Sequence, residues 1–365
     1  MIQLTGSYPP RVCGIADYTS HIVDALNAQG LSMEVWTRDS CASRPEAVGV
    51  APDFGPAGIR AVVEKIRATK PKLVHFQYER AIWDQNPAAL TVLPRAIKNS
   101  GAKLVTTFHA LDGPIGWGKA HRLALLPLLA LSDDVLVCSQ KQLAAVSRIP
   151  GVARKTHLTP IGNVIPVTGT RREQAGGEPL RLVYFGFLWK GRNIETLLRA
   201  LQAVGETGVS ATLTLAGAIK EPAYRESLDA LATELGVTDR VEFLGETDAA
   251  GISEALSGAD LCLLPFATGV STGRTTFTAA LAHGVPVVTM SVAENLVPEF
   301  VNGENLLYAP VGDEKLFIET VVRAATDENL RARLSGGAKA LSARYSWPDL
   351  ARQILSLPSY REALR

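Results

Sequence analysis

The chain is poor in the features that would staple, anchor or strongly charge a protein. Only four of its 365 residues are cysteine. Cys13, Cys41, Cys138 and Cys262 stand far apart, with no CxxC and no Cys/His metal spacing. That argues against a disulfide framework and a zinc site, and fits a reducing cytosol. No apolar run approaches the roughly 18–20 residues of a membrane span, and the longest candidate, 123–131, is interrupted by Pro127. The first ten residues lack the basic start and apolar core of a signal peptide, so they read as a first strand and its loop. A charge excess is missing too: 37 Lys and Arg face 36 Asp and Glu. This balance excludes a broad footprint for nucleic acid and favours small-molecule partners. No G-x-G-x-x-G follows the first strand, which argues against a nicotinamide or flavin dehydrogenase. The segment GPIGWGK at 113–119 matches a phosphate loop only until Ala120 replaces the Ser or Thr that would hold Mg²⁺.

What is present is an ordinary globular composition, 47% hydrophobic and 20% charged, long enough for two domains with their own cores. Short apolar or β-branched runs recur between amphipathic stretches at 2–5, 33–37, 72–76, 103–108 and 134–138, then at 182–185, 212–216, 241–244, 260–264 and 286–290. Near-continuous hydrophobic strands alternating with helices are the pattern of parallel sheets covered on both faces. The fold class is therefore α/β, doubly wound. Between Pro166 and Leu180 the chain carries Pro, Gly and a charge cluster without apolar periodicity, and reads as a linker. The expected division is 1–165, linker 166–180, 181–346, and a last segment 347–365 cut by Pro358.

In open α/β sheets ligands bind beyond the carboxyl ends of the strands, so the loops there are the places to search. After the run at 260–264, the loop through Ser271, Thr272, Gly273, Arg274 and Thr275 opens a helix, offering free N–H groups, a positive dipole end and a guanidinium to an anion. A merely capped helix is the competing reading. Gly186 to Asn193 sets Lys190 and Arg192 beside glycine at another strand-to-helix turn, suited to a diphosphate or simply a solvated cation pair. His109 follows the strand 103–108, where an imidazole could donate a hydrogen bond or act as acid or base, although a lone histidine is more often structural. The loop ending in Cys13 and Gly14 meets a helix N-terminus, where glycine admits a ligand to the backbone or makes a tight turn.

The ordered set CGIADYT (13–19), LVHFQYE (73–79), TTFHA (106–110), GFLWKGRN (186–193), DRVEFLGE (239–246), ADLCLLPF (259–266) and AALAHGVPVV (279–288) resembles glycosyltransferases of the GT-B fold, family four, over nearly the whole chain. The resemblance implies two Rossmann-like domains facing a cleft, the first on the acceptor side and the second holding a nucleotide sugar as co-substrate. It implies retention, no metal and no bound cofactor, with protein cations and helix ends meeting the leaving diphosphate. Lys190 matches the family's phosphate-binding lysine, and His109 its histidine near the donor sugar. Cys13 and Gly14 would lie against the diphosphate and the acceptor, the base would lie near Phe243 and Leu244, and Tyr78 and Glu79 would face the acceptor side. The terminal segment would return to the first domain.

Two departures stand out. The family's arginine after the strand-end glycine is here Phe187, and its two glutamates, eight residues apart, fall on Ser271 and Ala279. Either Arg274 and the amides of Ser271, Thr272 and Gly273 replace the missing groups, or the donor site has decayed and the chain is a binding or partner protein. The acceptor class implied by the resemblance is a glycan, a lipid-linked sugar or a small molecule, handled in the cytoplasm or at the inner membrane face. Arg60, Lys65, Arg67, Lys70 and Lys72 would supply peripheral membrane contact, or merely a solvated helix face.

Overall fold

The computed structural model describes residues 1–11, 13–109, 111, 119–172 and 177–365, with backbone alone for 119–122 and 294. The phosphate-loop lookalike before Lys119 lies outside the described residues. The chain forms two compact units, Met1–Gly162 with Ser346–Arg365, and Asn163–Tyr345.

The first unit has strands β1 (Ile2–Leu4), β2 (Glu34–Arg38), β3 (Ala47–Ala51), β4 (Leu73–Tyr78), β5 (Lys103–Phe108), β6 (Asp134–Val137) and β7 (Thr156–Leu158). They form one parallel sheet in the order β3-β2-β1-β4-β5-β6-β7. The second unit has β8 (Leu180–Phe185), β9 (Ala211–Ala216), β10 (Val241–Gly245), β11 (Leu261–Leu264), β12 (Val287–Ser291) and β13 (Leu307–Pro310). Its sheet is also parallel, in the order β10-β9-β8-β11-β12-β13. Parallel neighbours need crossovers, which the intervening helices supply, so each unit is a doubly wound, Rossmann-like α/β layer. No described helix is long and apolar enough to cross a membrane.

The stretch read as a linker, 166–180, is packed onto the second unit where it is described. Thr168 N and Oγ1 both donate to Ser253 Oγ, at 3.2 and 3.1 Å, and Arg171 Nη1 donates to Ser335 Oγ at 2.7 Å. Its Pro, Gly and charges suppress periodicity, and these hydrogen bonds tie it to the second unit.

The faces of the first sheet differ in chemistry. Period two sends Leu4, Phe76, Leu104 and Phe108 into an apolar core with Trp36 and Trp83. The other face, under the helix Gly14–Ala28, carries Gln3, Thr5, His75, Gln77 and Thr107, all fully buried. The helices Trp347–Leu355 and Pro358–Ala363 join this face. Asp134 accepts from Ser359 N at 3.1 Å and bonds His157 Nε2 at 2.9 Å, while His75 bonds Tyr360 Oη at 2.8 Å and Thr107 Oγ1 at 2.7 Å.

Burial, with the nearby His109, pushes the His75 imidazole down to about 3, although Asp134 opposes the shift. The unfolded ring titrates near 6.5, so between these values the unfolded chain binds the extra proton and stability falls as pH falls. Acidifying from pH 7.5 to 5.0 is expected to cost about 2 kcal/mol at this ring. Thermal unfolding at the two pH values, with His75→Gln as comparison, checks it. A midpoint that falls equally in the variant would exclude His75 as the source.

Candidate active site

In the second unit the loops after β8, β9 and β11 meet at the carboxyl edge of the sheet. Gly186, φ 137°, ends β8, and the loops after β8 and β9 then run side by side: Gly186 N donates to Ala216 O at 2.9 Å and Leu188 N to Ala218 O at 3.1 Å. Asn193, φ 56°, ties the third loop on by donating from Nδ2 to Pro265 O at 2.8 Å. Asn295 Nδ2 donates to Thr268 O at 2.7 Å and Val270 N to Met290 O at 2.8 Å, so the stretch before the helix Thr275–Ala282 is pinned on both sides. That helix begins after Arg274 with no side-chain cap, leaving its first N–H groups to an outside acceptor.

Cations gather here on aromatic faces. The Arg274 guanidinium lies 4.7 Å from the Phe266 ring centre and donates to Thr268 Oγ1; Arg192 lies 5.2 Å from Trp189; Lys220 lies 5.6 Å from Phe187. Burial pushes the Tyr184 hydroxyl up to about 12, against the opposing pull of Arg192 and Arg274. Arg192 Nε is buried with no hydrogen-bond partner among the described residues. Lys190 is exposed and joins no ion pair among the described residues. Ser271 and Thr272 are buried, at 8% and 0%, and Gly273 and Thr275 are half-buried. A Cβ on Gly186 would meet Thr276 Cγ2 at 3.7 Å, so the helix start that follows Arg274 stands beside the strand-end loop that carries Lys190 and Arg192.

The base region is not assembled in this way. Phe243 and Leu244 are successive residues of the edge strand β10 and point to opposite faces. The Phe243 ring carries Arg225 at 3.6 Å, whereas Leu244 lines a cavity with Glu242 and Thr214.

In the first unit His109 is half-buried at the end of β5. Its backbone is held by donation of its N–H to Tyr78 O at 3.0 Å and from Gln142 Nε2 to its carbonyl at 3.3 Å. Its Nε2 lies 2.7 Å from Gln77 Oε1, and Tyr18 meets the ring edge-on at 4.9 Å. Burial pushes the imidazole down to about 3, so it is neutral at ordinary pH. Cys13 precedes the helix Gly14–Ala28 without capping it; Gly14 is exposed, and a Cβ there would meet nothing within 4 Å.

The two acceptor-side residues read from the sequence are otherwise engaged. Tyr78 is 2% exposed and packs edge-on against Phe108 at 5.7 Å, a core role that the strand alternation should have signalled. Glu79 accepts from Ala81 N at 2.7 Å and so closes the turn after β4. Lys220, Tyr184 and Gln77 were missed, because only strand order brings the loop after β9 beside that after β8, and only register brings Gln77 beneath His109.

Two family models match the chain: "Glycosyltransferase Family 4" over residues 12–164 and "Glycosyl transferases group 1" over residues 179–327. A D-inositol 3-phosphate glycosyltransferase of Xylanimonas cellulosilytica is 23% identical over 94% of this chain and 91% of its own. Sucrose-phosphate synthase from Thermosynechococcus elongatus superimposes with a TM-score of 0.74 at 20% identity, covering 100% of this chain and 98% of the other. Anabaena HepE in complex with UDP gives 0.76 at 17% identity, covering 97% of each chain. Both structural likenesses are likenesses of fold. The two sheets and their strand-end loops define a GT-B enzyme. The chain belongs to the group 1, family 4 glycosyltransferases.

Proposed function

We propose that the protein moves a sugar, with retention, from a nucleoside-diphosphate sugar to a hydroxyl of a glycan, a lipid-linked sugar or a small molecule. The observation that carries this reading is the placement of Arg192 and Arg274, each on an aromatic face, in the strand-end loops beside an uncapped helix start. Departure of a nucleoside diphosphate develops negative charge on phosphate oxygens, and preorganised cations and amides stabilise it without reorganising. In this reading Lys190 joins them, the Arg274 side chain and the helix start occupy the region of the family's missing carboxylates, and no metal is required. The anomeric carbon–oxygen bond to phosphate breaks, the bond to the acceptor oxygen forms, and the hydroxyl proton leaves with the phosphate. Because relatives are named D-inositol 3-phosphate glycosyltransferases, inositol phosphates are the first acceptors to try.

Calorimetric titration with UDP, GDP, ADP and their common sugar conjugates tests the reading. Binding of one nucleotide family in the micromolar range, weakened in Lys190→Ala and in Arg274→Ala, is the expected result. No binding across the panel by folded protein would favour the second reading, a partner protein, for which the absence of both glutamates at Ser271 and Ala279 is the motive. The same titrations with and without Mg²⁺ examine the absence of a metal requirement, and assay of vesicle-bound against free protein examines membrane contact.

A further inference from the structure

His109 has one side-chain hydrogen-bond partner among the described residues, Gln77, and that contact can take two forms. With the amide oxygen against His109 Nε2, the ring nitrogen donates, and both N–H bonds of the Gln77 amide are left buried with no acceptor. A half-turn of the amide exchanges its oxygen and nitrogen at no steric cost. The amide then donates to an unprotonated Nε2, so that one N–H and the carbonyl oxygen go short in place of two N–H bonds. A buried donor without a partner is the rarer and costlier orphan. Gln77 is itself 0% exposed, and the ionisable groups near the ring, His75 and Tyr18, are buried too.

We infer that Gln77 is a positioning residue that donates to His109 Nε2, fixes the ring as the Nδ1–H tautomer, and so presents Nδ1 as a hydrogen-bond donor. In a neutral imidazole the bond made by one nitrogen decides the role of the other. Nδ1 has no partner among the described residues, so this N–H is available to an oxygen of a bound sugar. The substrate-facing half of the inference rests on the transferase reading; the tautomer does not.

The two halves are tested separately. Ligand-free protein labelled with ¹⁵N in histidine, at pH 7.5, reports the protonated nitrogen of each ring by long-range proton–nitrogen correlation, and His109→Gln identifies the His109 signals by their loss. The wild-type ring is expected to carry its proton on Nδ1. In Gln77→Met it should shift mainly to Nε2–H, the form that imidazole side chains favour in water. Gln77→Glu, whose carboxylate only accepts, should place a proton on Nε2. An Nε2–H ring in the wild type, or an Nδ1–H ring that persists in Gln77→Met, would overturn the inference. Should the glutamate variant fail to fold, the other two proteins decide it. For the substrate, the sugar conjugate that binds in the nucleotide panel should lose about tenfold in affinity in Gln77→Met, the worth of one hydrogen bond. The parent nucleoside diphosphate should keep its affinity. Equal weakening of both would show that His109 Nδ1 does not contact the sugar.

Discussion

Replacing Lys190 by alanine is expected to lower turnover by about two to three orders of magnitude, the range seen when one preorganised donor to a developing oxyanion is removed. The side chain is exposed and in no ion pair among the described residues, so its loss should leave the unfolding midpoint unchanged. That combination, a large kinetic effect without a stability effect, separates a phosphate ligand from an ordinary solvated lysine. Arg274 should behave differently. It lies on Phe266 and donates to Thr268, so Arg274→Ala removes charge and also loosens the loop that leads into the helix Thr275–Ala282. Arg274→Lys keeps the charge but not the planar fork, and should recover only part of the activity if the guanidinium holds two phosphate oxygens together. Initial rates with the donor found by titration, beside thermal unfolding of each variant, provide the check. Wild-type turnover in Lys190→Ala would remove that residue from the chemistry and leave the charge to Arg192 and Arg274.

The fold class was legible because buried parallel strands read as plain apolar runs, and all ten runs correspond to strands. The three strands not anticipated, β3, β7 and β13, are all at sheet edges. AVGVA, THL and LYAP are short, and β3 and β7 lie mostly at intermediate burial, so selection for a continuous apolar face is weak there. The site was legible in part for a related reason. Residues set by a local signal, such as Gly186 after a strand or Arg274 before a helix, could be named from the sequence. Their partners could not, since Lys220 reaches Phe187 and Gln77 reaches His109 only through strand order and register. Tyr78 and Glu79 show the opposite case. The resemblance implied an acceptor-side place for both, whereas period two buries the tyrosine and a local turn engages the glutamate.

Strand order also creates a position that cannot accept a side chain. Gly217 follows β9 at φ 150°, and a Cβ there would stand 1.9 Å from the carbonyl oxygen of Gly186. Neither backbone can retreat cheaply. Gly186 N is bonded to Ala216 O, Leu188 N to Ala218 O, and Gly217 N to Gly245 O at 2.9 Å, so β8, β9 and β10 are locked together at the edge where the cations gather. Gly217→Ala is therefore expected to destabilise the second unit by about 3 kcal/mol or more, a backbone clash added to conformational strain. For a unit of this size that lowers its unfolding midpoint by roughly 6–12 °C. Gly208→Ala is the control: φ there is 85°, but a Cβ would meet nothing within 4 Å, so it carries the strain without the clash. Calorimetric unfolding of both variants separates the contributions, and equal shifts would mean that the loops part easily. Nucleotide titration adds the functional reading. Phe187, Lys190 and Arg192 hang from the displaced loop, so Gly217→Ala should weaken nucleotide binding even below its unfolding temperature, whereas Gly208→Ala, at the far end of the helix Ile194–Glu206, should not.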